Sequence, residues 1–446
     1  MSPLPDSSKA TNFASSEKAS GGEDSFLAGY SVLAKSMVGS GMMILASACA
    51  VSGWFIGLGL ALLAASFTVL SLYFLSQVCL KYHGDGPLSY LKLCSELLPA
   101  KFKRIMDVAV VVKCIGAASA YLIFTGGCIA NLVKQMRADN TLPGSLTETN
   151  LARIVMLGSV AILGPFCYFR VITGTKVINM IGLGCMLFVT LLSAFKARFS
   201  DKPSEEYETT YGPTDWLQVF QRMPTFIFAF TCHQNIFSVI DSMKRPSTRG
   251  INKISFFSVL TGLLLFLVVM IFPYGSYGKS TSKNFLLSYL NDERNDIEHV
   301  CPWVAAGCVL ASFAVTVSYP LQVIPCRRSL VALIFGSDGA EQGTLKLGNM
   351  HVSKEKFVRM TLTSIIVALT LGLALLFPTG LGEAMALTGL VGGNLICFVM
   401  PSTLYIIACN RRVIEKQRLT YTSAVALLGI SLAIYPAYFV SKILSD

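Results

Sequence analysis

The first long apolar segment of the chain contains the stretch Lys35-Ser36-Met37-Val38-Gly39-Ser40-Gly41-Met42-Met43. A segment of this length, about residues 26–51, predicts a helix that crosses a lipid bilayer. Each glycine weakens a helix by about 1 kcal/mol relative to alanine, and a lysine at the bilayer centre costs about 2.5–3.5 kcal/mol. Both features together indicate an opened backbone that lines a site. The alternative is that the glycines let a neighbouring helix pack closely.

The composition is that of a polytopic membrane protein. Of the 446 residues, 53% are hydrophobic and 14% are charged, whereas a soluble domain has about 25% charged residues. The mean hydropathy is +0.60. The hydrophilic start of the chain lacks the apolar core of a signal peptide. We therefore expect residues 1–25 to form a disordered cytosolic tail.

Successive apolar runs predict about eleven membrane spans, at about 20 apolar residues per crossing. They lie near residues 27–51, 54–80, 106–133, 152–171, 174–196, 216–241, 252–273, 302–334, 357–377, 381–408 and 420–441. If the N-terminus is cytosolic, the cytosolic segments carry roughly twice as many lysines and arginines as the opposite segments, as the positive-inside rule requires. This bias predicts a cytosolic N-terminus and a C-terminus on the far side.

Motifs of soluble enzymes are absent from the sequence, which contains no GxSxG, no Walker loop, no HExxH and no CxxC. The thirteen cysteines have no metal-ligand spacing and lie mostly in apolar runs, where cysteine acts as a small hydrophobe. The net charge of +11 is spread over short loops, with no basic patch interleaved with aromatic residues. We expect no enzyme activity, no cofactor and no nucleic-acid partner.

Polar residues interrupt two further apolar segments. The sixth predicted span contains Phe228-Ala229-Phe230-Thr231-Cys232-His233-Gln234-Asn235, which is unfavourable in hydrocarbon unless the polar groups line a cavity. The alternative is that His233, Gln234 and Asn235 satisfy one another between packed helices. The eighth span contains Thr316-Val317-Ser318-Tyr319-Pro320, where hydroxyls stand beside a proline.

The first and sixth spans are five apart in the predicted order. If spans one to five and six to ten are inverted repeats, the two interrupted helices occupy matching positions, which is a sequence pointer to a transporter binding site. Helix N-termini at such breaks offer free N–H groups and a positive dipole end to a carboxylate. This favours a functional role for Gly39-Ser40-Gly41 over a packing role.

Four segments of the chain carry a resemblance to a known family. They are Val38-Gly39-Ser40-Gly41-Met42, Phe228-Ala229-Phe230-Thr231-Cys232-His233-Gln234-Asn235, Tyr319-Pro320-Leu321-Gln322-Val323-Ile324-Pro325-Cys326-Arg327, and Leu387-Thr388-Gly389-Leu390-Val391-Gly392-Gly393-Asn394 with Met400-Pro401-Ser402-Thr403-Leu404-Tyr405. Over about residues 25–441, the chain resembles the amino acid/auxin permease family. Within it, the chain is most similar to the sodium-coupled neutral amino acid transporters and the vacuolar amino acid transporters.

The resemblance implies an all-α integral membrane fold of about eleven transmembrane helices. It has a LeuT-like 5+5 inverted repeat with broken helices 1 and 6, plus one extra helix. Residues 26–446 would form the transporter domain, with repeat one at about 26–197, repeat two at about 215–408 and the extra helix at about 420–441. The resemblance also implies the substrate-binding residues, which are Val38, Gly39, Ser40, Gly41 and Met42, with Phe230, Thr231 and Cys232 opposite them.

One position departs from the family pattern. Sodium-coupled relatives usually have an asparagine four residues before the first glycine, where it helps to bind sodium, and this chain has Lys35. An ammonium group there would occupy or repel the sodium site. Thr316 and Ser318 resemble the hydroxyl positions that complete this site. We therefore hypothesise that Lys35 supplies a fixed or titratable positive charge in place of sodium, with a proton as the coupling ion. The alternative is that Lys35 extends towards the membrane surface or pairs with an acid.

The sequence thus predicts a secondary active amino acid transporter that works by alternating access, proton-coupled or sodium-independent. Its partners are an amino acid and the lipid bilayer, and we expect a monomer in the plasma membrane or a vacuolar or lysosomal membrane. The alternatives are a sodium-coupled symporter and an amino acid sensor, or transceptor, on the same fold. Two more charged residues fall in predicted spans: we expect Lys113 to be a packed lysine and Glu383 to lie near the membrane surface.

Overall fold

A computed structural model describes residues 22–82, 90–136, 147–168, 175–199, 208–213, 215–243, 245–291, 301–335, 344–347 and 350–445. Most of the predicted tail lies outside these residues, but its last part, 22–25, is helical because the first helix begins at Gly22. The described chain is helical apart from one antiparallel hairpin, β1 (Thr344–Leu347) with β2 (Met350–Ser353), which the sequence analysis does not predict.

The helices are numbered in chain order. They are α1 (Gly22–Met37), α2 (Ser40–Lys81), α3 (Tyr90–Leu97), α4 (Ala100–Gln135), α5 (Glu148–Cys167), α6 (Thr175–Phe199), α7 (Trp216–Ala229), α8 (Ile236–Ser242), α9 (Thr248–Tyr277), α10 (Phe285–Leu290), α11 (Pro302–Val317), α12 (Tyr319–Phe335), α13 (Lys354–Leu376), α14 (Leu381–Thr388), α15 (Met400–Asn410) and α16 (Arg418–Ser445). Short 3-10 turns lie at His233–Asn235 and Gly278–Ser280, and π-helical turns at Gly389–Gly393 and Leu395–Val399.

Nine helical stretches among the described residues are long and apolar enough to cross a membrane. The protein is therefore a multi-pass membrane protein. The sequence predicts about eleven spans. The two counts of membrane spans differ because of two regions of the chain. Most of predicted spans 27–51 and 54–80 falls in the single long α2, and predicted span 216–241 is divided between α7 and α8, each too short to count.

The chain turns back on itself at Gly53, inside α2. Gly53 has φ 73° and ψ 171°, a conformation that glycine adopts readily and other residues do not. A Cβ atom added to Gly57 would lie 2.9 Å from the Cys49 Sγ, although residues eight positions apart in a straight helix are about 12 Å apart along its axis. The two halves of α2 therefore lie side by side at this turn, and its 42 residues do not form one rod.

We expect Gly53→Ala to lower the free energy of unfolding by about 1–3 kcal/mol, because it combines an unfavourable backbone conformation with a steric clash. The added Cβ would lie 2.6 Å from the carbonyl carbon and oxygen of Gly212. Thermal unfolding in detergent measures the effect. Gly59→Ala is the matched control, because no atom lies within 4 Å of a Cβ added to that residue of α2. Equal free energies of unfolding for Gly53→Ala and Gly59→Ala would contradict the backbone turn at Gly53.

Helix α4 lies at the centre of the packing and contacts α5, α11, α12, α13 and α14. Helix α2 packs against α7 and α9, while α1 packs against α6 and α9. The π-helical turn that follows α14 is pressed against α7 and α4, because a Cβ added to Gly389 would overlap the carbonyl of Pro224 and one added to Gly392 would overlap the stem of Lys113. Helices α7 and α4 thus both pack against this π-helical turn.

Candidate functional site

The first interruption separates α1 from α2. Val38 and Gly39 belong to neither helix, and both are buried. The Val38 N–H donates to the Ala34 carbonyl at 2.9 Å, which ends α1, and α2 begins at Ser40. The first N–H groups of a helix have no partner within it and carry the positive end of its dipole. The Ser40 hydroxyl is also buried and has no hydrogen-bond partner among the described residues.

The second interruption follows α7, which ends at Ala229. Phe230, Thr231 and Cys232 are buried and lie between α7 and the next helical turn. The Thr231 hydroxyl donates back to the Ile227 carbonyl at 2.8 Å. The two interruptions face each other, because a Cβ added to Gly41 would lie 2.9 Å from the Ala229 Cα.

A small cavity lies where the two interruptions meet. Its volume is about 10 Å³, which is room for about one water molecule. The lining residues are Ser36, Met37, Gly39, Ser40, Gly41, Lys113, Tyr121, Phe228 and Thr231. Four of the predicted substrate-binding residues are among them: Gly39, Ser40, Gly41 and Thr231. The other four, Val38, Met42, Phe230 and Cys232, are buried but are not part of this lining.

The structure brings Lys35 and Ser318 together. The Lys35 Nζ donates to the Ser318 Oγ at 2.9 Å and to the Val38 carbonyl at 3.4 Å. Lys35 is 3% exposed, and its stem fills the space that a side chain at Gly182 of α6 would need. No salt bridge between described residues includes Lys35. Neither alternative for Lys35, extension to the surface or pairing with an acid, matches this geometry.

Thr316, the other predicted hydroxyl, does not contact Lys35. Its Oγ1 forms a hydrogen bond of 2.8 Å with the Thr125 Oγ1 of α4. The role of Thr316 in the coupling site therefore stays a prediction, with its hydroxyl bonded to α4. Thr316 and Ser318 lie on opposite sides of the chain where α11 ends, so that Thr316 faces α4 and Ser318 faces α1.

Sequence reasoning missed a polar chain beside the cavity. The Lys113 Nζ donates to the Gln322 Oε1 at 3.0 Å, and the Gln322 Nε2 donates to the Tyr121 hydroxyl at 3.0 Å. All three side chains are buried. The available signal was the presence of a lysine inside a predicted span, since intramembrane charges mark functional sites. The sequence alone predicts a packed lysine at position 113 and not its bond to Gln322.

His233 has a different partner from those considered in the sequence analysis. Its Nε2 and the Ser71 hydroxyl of α2 form a hydrogen bond of 2.7 Å. Its Nδ1 and the Gln234 Oε1 have no hydrogen-bond partner among the described residues. The hydrogen bond between His233 and Ser71 joins α2 to the second interruption.

A second and wider cavity lies further along α2 and α7. Its volume is about 320 Å³, and its lining residues are Ser47, Ala50, Val51, Gln218, Arg222, Lys279, Thr281 and Lys283. The Lys283 Nζ is 2.7 Å from the Glu383 Oε1, and these side chains are 46% and 68% exposed. Glu383 thus lies in a solvated ion pair, as expected for a residue near the membrane surface.

Sequence comparisons identify relatives of this chain among known proteins. The chain is 28% identical over 387 residues to vacuolar amino acid transporter 5 of Schizosaccharomyces pombe, covering 86% of this chain and 84% of the relative. It is 22% identical over 346 residues to vacuolar amino acid transporter 5 of Saccharomyces cerevisiae, covering 70% and 73%. It is 27% identical over 296 residues to sodium-coupled neutral amino acid transporter 7 of Danio rerio, covering 66% and 60%.

The family profile described as transmembrane amino acid transporter protein matches residues 22–442, which is nearly the whole chain. This match includes both interruptions, the cavity between them and the lysines at positions 35 and 113. The chain is therefore a transporter rather than an enzyme, and it belongs to the transmembrane amino acid transporter family, the amino acid/auxin permeases.

Proposed function

We propose that this protein is a secondary active transporter that moves amino acids by alternating access without sodium, with Lys35 as the positive charge of the coupling site. The observation that carries the proposal is the 2.9 Å hydrogen bond from the Lys35 Nζ to the Ser318 Oγ. An ammonium group in this position joins α1 to the end of α11. A sodium ion bound between the same helices would be repelled by it.

The arrangement of the interruptions supports alternating access. The cavity of about 10 Å³ between α2 and α7 is too small for an amino acid, so these helices must separate when substrate binds. The wider cavity of about 320 Å³ adjoins the same two helices and is the proposed approach from the far side. The substrate would then occupy the space between Gly39, Gly41 and Thr231.

The proposed architecture has about eleven spans with a LeuT-like 5+5 inverted repeat, a cytosolic N-terminus and α16 as the extra helix. Its support is the turn at Gly53, which divides α2 into a short part that continues the crossing begun by α1 and a longer part that crosses by itself, and the interruption that divides α7 from α8. With α1, α7 and α8 completing the first and sixth crossings, the interrupted helices occupy matching positions in the two repeats. We propose that the transporter acts as a monomer.

Uptake into proteoliposomes tests this function. A panel of amino acids is supplied while sodium and pH are varied independently on the two sides. We expect uptake that is unchanged when choline replaces sodium and that increases with an inward proton gradient. Strict dependence on sodium would overturn the proposed coupling and favour a sodium-coupled symporter, as the name of the Danio rerio relative suggests for that protein. Absence of uptake and exchange for every amino acid would favour a sensor.

The membrane in which the transporter works has to be determined by a separate measurement. Two of the relatives are named as vacuolar proteins, and another is named without a compartment. We propose a vacuolar or lysosomal membrane, with the plasma membrane as the alternative. Imaging of the tagged full-length protein against markers of both membranes distinguishes them.

We expect Gly39→Ala to weaken substrate binding by about 10–200-fold, the usual effect of one methyl group in a fitted pocket. The nearest atom to a Cβ added at Gly39 is the Tyr121 hydroxyl at 4.0 Å. The variant should therefore fold normally and lose only cavity space. Gly127→Ala of α4 is the control, because no atom lies within 4 Å of its added Cβ.

Two measurements on Gly39→Ala test this prediction: the dependence of uptake on substrate concentration, and the temperature of thermal unfolding. A raised half-saturation concentration with an unchanged melting temperature would support a substrate position beside Gly39. Unchanged uptake in Gly39→Ala would place the substrate elsewhere and contradict the proposed site.

A further inference from the structure

The wider cavity beside α2 and α7 has a strongly basic wall. Its volume of about 320 Å³ is typical of sites that enclose a small organic molecule. Arg222 of α7 lines this cavity together with Lys279 and Lys283, and the described residues of the lining include no aspartate or glutamate. Three cationic side chains therefore share one space that is large enough for an amino acid.

Two of these three cations have an acidic partner outside the lining. The Lys279 Nζ is 3.1 Å from the Glu208 Oε2, and the Lys283 Nζ is 2.7 Å from the Glu383 Oε1. Arg222 is half-buried, and no hydrogen bond or salt bridge between described residues includes its guanidinium group. Among the described residues, the wall therefore has one positive charge more than its acidic partners neutralise.

The unpaired guanidinium group lies close to one of the lysines. A Cβ added to Gly382 of α14 would lie 3.4 Å from the Arg222 Nη1 and 3.5 Å from the Lys283 Cδ. Both side chains thus approach the same point of α14, beside the Glu383 carboxylate, which already pairs with the Lys283 ammonium group. Because like charges repel at this range, a further carboxylate bound in the cavity would lower the electrostatic energy of the pair.

Two buried hydroxyl groups of the lining offer acceptors rather than donors. The Ser47 Oγ donates to the Ile44 carbonyl at 2.9 Å. The Thr281 Oγ1 donates to the Gly278 carbonyl at 2.7 Å. Since both protons are used within the protein, the remaining lone pairs of these oxygens can accept from an ammonium group. The cavity thus combines cations that suit carboxylates with oxygens that suit an amine.

We propose that the wider cavity is a binding site for acidic amino acids, in which Arg222 recognises the side-chain carboxylate. This inference rests on the proposed function and assigns a substrate class to it. A cleft lined by charges of one sign concentrates ligands of the opposite sign. Amino acids with cationic side chains are disfavoured, because they add a positive charge to a wall that already has an excess.

The test uses two matched pairs of ligands, glutamate with glutamine and aspartate with asparagine. Within each pair the side-chain charge changes while the shape is nearly constant. Ligand-induced shifts in the melting temperature of the purified full-length protein give the relative affinities. We expect wild type to bind each acidic amino acid about tenfold more tightly than its amide, because hydrogen bonds between charged groups are stronger than neutral ones. Uptake into proteoliposomes should show the same order.

Two variants of Arg222 separate recognition from structure. Arg222→Gln removes the charge and should bring the affinities for glutamate and glutamine within about twofold of each other. Arg222→Lys keeps the charge and should retain most of the preference. Lys253→Met should behave as wild type, because Lys253 is exposed on α9 and lines neither cavity. A lower melting temperature of Arg222→Gln without ligand, together with an unchanged preference for glutamate, would show a purely structural arginine and overturn the inference.

Ionic strength provides a measurement that needs no variant. The Lys279 and Lys283 side chains are 43% and 46% exposed, so charges in this cavity are screened by salt. We expect the preference of wild type for glutamate over glutamine to decrease when the salt concentration is raised from about 0.05 M to about 0.5 M. A preference that does not change with salt would contradict recognition in this solvated cavity.

Inorganic phosphate and a neutral amino acid complete the series. Stabilisation of wild type by phosphate to the same extent as by glutamate, lost in Arg222→Gln, would indicate a general anion site and overturn the assignment to acidic amino acids. Uptake of neutral amino acids without any preference for acidic ones would overturn this inference and leave the proposed transport function intact. Absence of both uptake and stabilisation for every amino acid would overturn both proposals.

Discussion

Lys35→Asn is expected to convert sodium-independent uptake into sodium-stimulated uptake, while Lys35→Met is expected to abolish the response to a proton gradient. Lys35 bridges the end of α1 and Ser318 through its ammonium group, and no carboxylate of the described residues pairs with it. By the resemblance to sodium-coupled transporters, asparagine is the residue expected at a sodium site in this position. Replacing the ammonium with a neutral amide removes the repulsion of sodium and restores an oxygen ligand.

Methionine tests the same site without providing a ligand. It has nearly the length of lysine, so the space beside Gly182 remains filled, and it cannot carry a charge. The titratable side chain facing Lys35 is Cys185 of α6. We expect Lys35→Met to fold but to lose at least about tenfold in concentrative uptake, because a hydrogen bond to a charged group contributes about 1.5–3 kcal/mol.

Uptake into proteoliposomes with sodium, choline and imposed pH gradients measures both effects in one series. Lys253→Met is the control, since Lys253 is an exposed residue of α9 and lines neither of the two cavities. Uptake by Lys35→Met with the pH dependence of wild type would remove Lys35 from the coupling mechanism. Failure of Lys35→Asn to respond to sodium, in a variant that still transports, would show that the site cannot bind the ion.

The two interruptions could be predicted because a bilayer penalises them strongly. Glycines and a lysine in the first apolar segment, and polar residues in the sixth, are unfavourable in hydrocarbon unless they line a site. The structure ends α1 at Met37 and α7 at Ala229, close to these residues. The free-energy cost of placing these residues in hydrocarbon is large whatever their tertiary partners are. The sequence alone therefore indicates the two interruptions.

The partners of the polar side chains could not be predicted, because they depend on contacts between distant segments. Thr316 bonds to Thr125, and Lys113 bonds to Gln322, in both cases on another helix. Since α4 is surrounded by other helices, apolar residues occur on all of its faces, and their periodicity does not show which face meets the cavity. Val38 and Met42, which the resemblance implies at the substrate site, lie outside the lining of the small cavity, and their place beside a bound substrate stays a prediction.

We also expect Gly41→Val to abolish transport and to destabilise the protein, because this position is where the two interrupted helices touch. A Cβ at position 41 would lie 2.9 Å from the Ala229 Cα, 3.2 Å from the Phe228 Cδ1 and 3.3 Å from the Ala229 Cβ. The nearest of these atoms belongs to the backbone, so the added group cannot be accommodated by a change of rotamer. The N-terminus of α2 must then move away from α7.

Gly41→Ala and Gly41→Val form a graded series for this effect. Overpacking of a tight contact costs about 1–3 kcal/mol, so we expect Gly41→Ala to lower the free energy of unfolding by an amount in this range and Gly41→Val to lower it further. Transport should also fall, and it should fall further in Gly41→Val than in Gly41→Ala. Gly39→Ala provides the contrast, because its added Cβ has no atom closer than 4.0 Å and should change affinity without changing stability.

A second substitution shows whether the contact itself is responsible. Ala229→Gly removes the Cβ atom that would lie 3.3 Å from the new side chain, so it should partly restore stability and uptake to Gly41→Ala. Residues in direct contact deviate from additivity by about 0.5–3 kcal/mol, and we expect a favourable coupling of this size between the two substitutions. Strictly additive effects on thermal unfolding would mean that the ends of α2 and α7 do not meet at Gly41. The substrate site would then have to be placed away from the two interruptions.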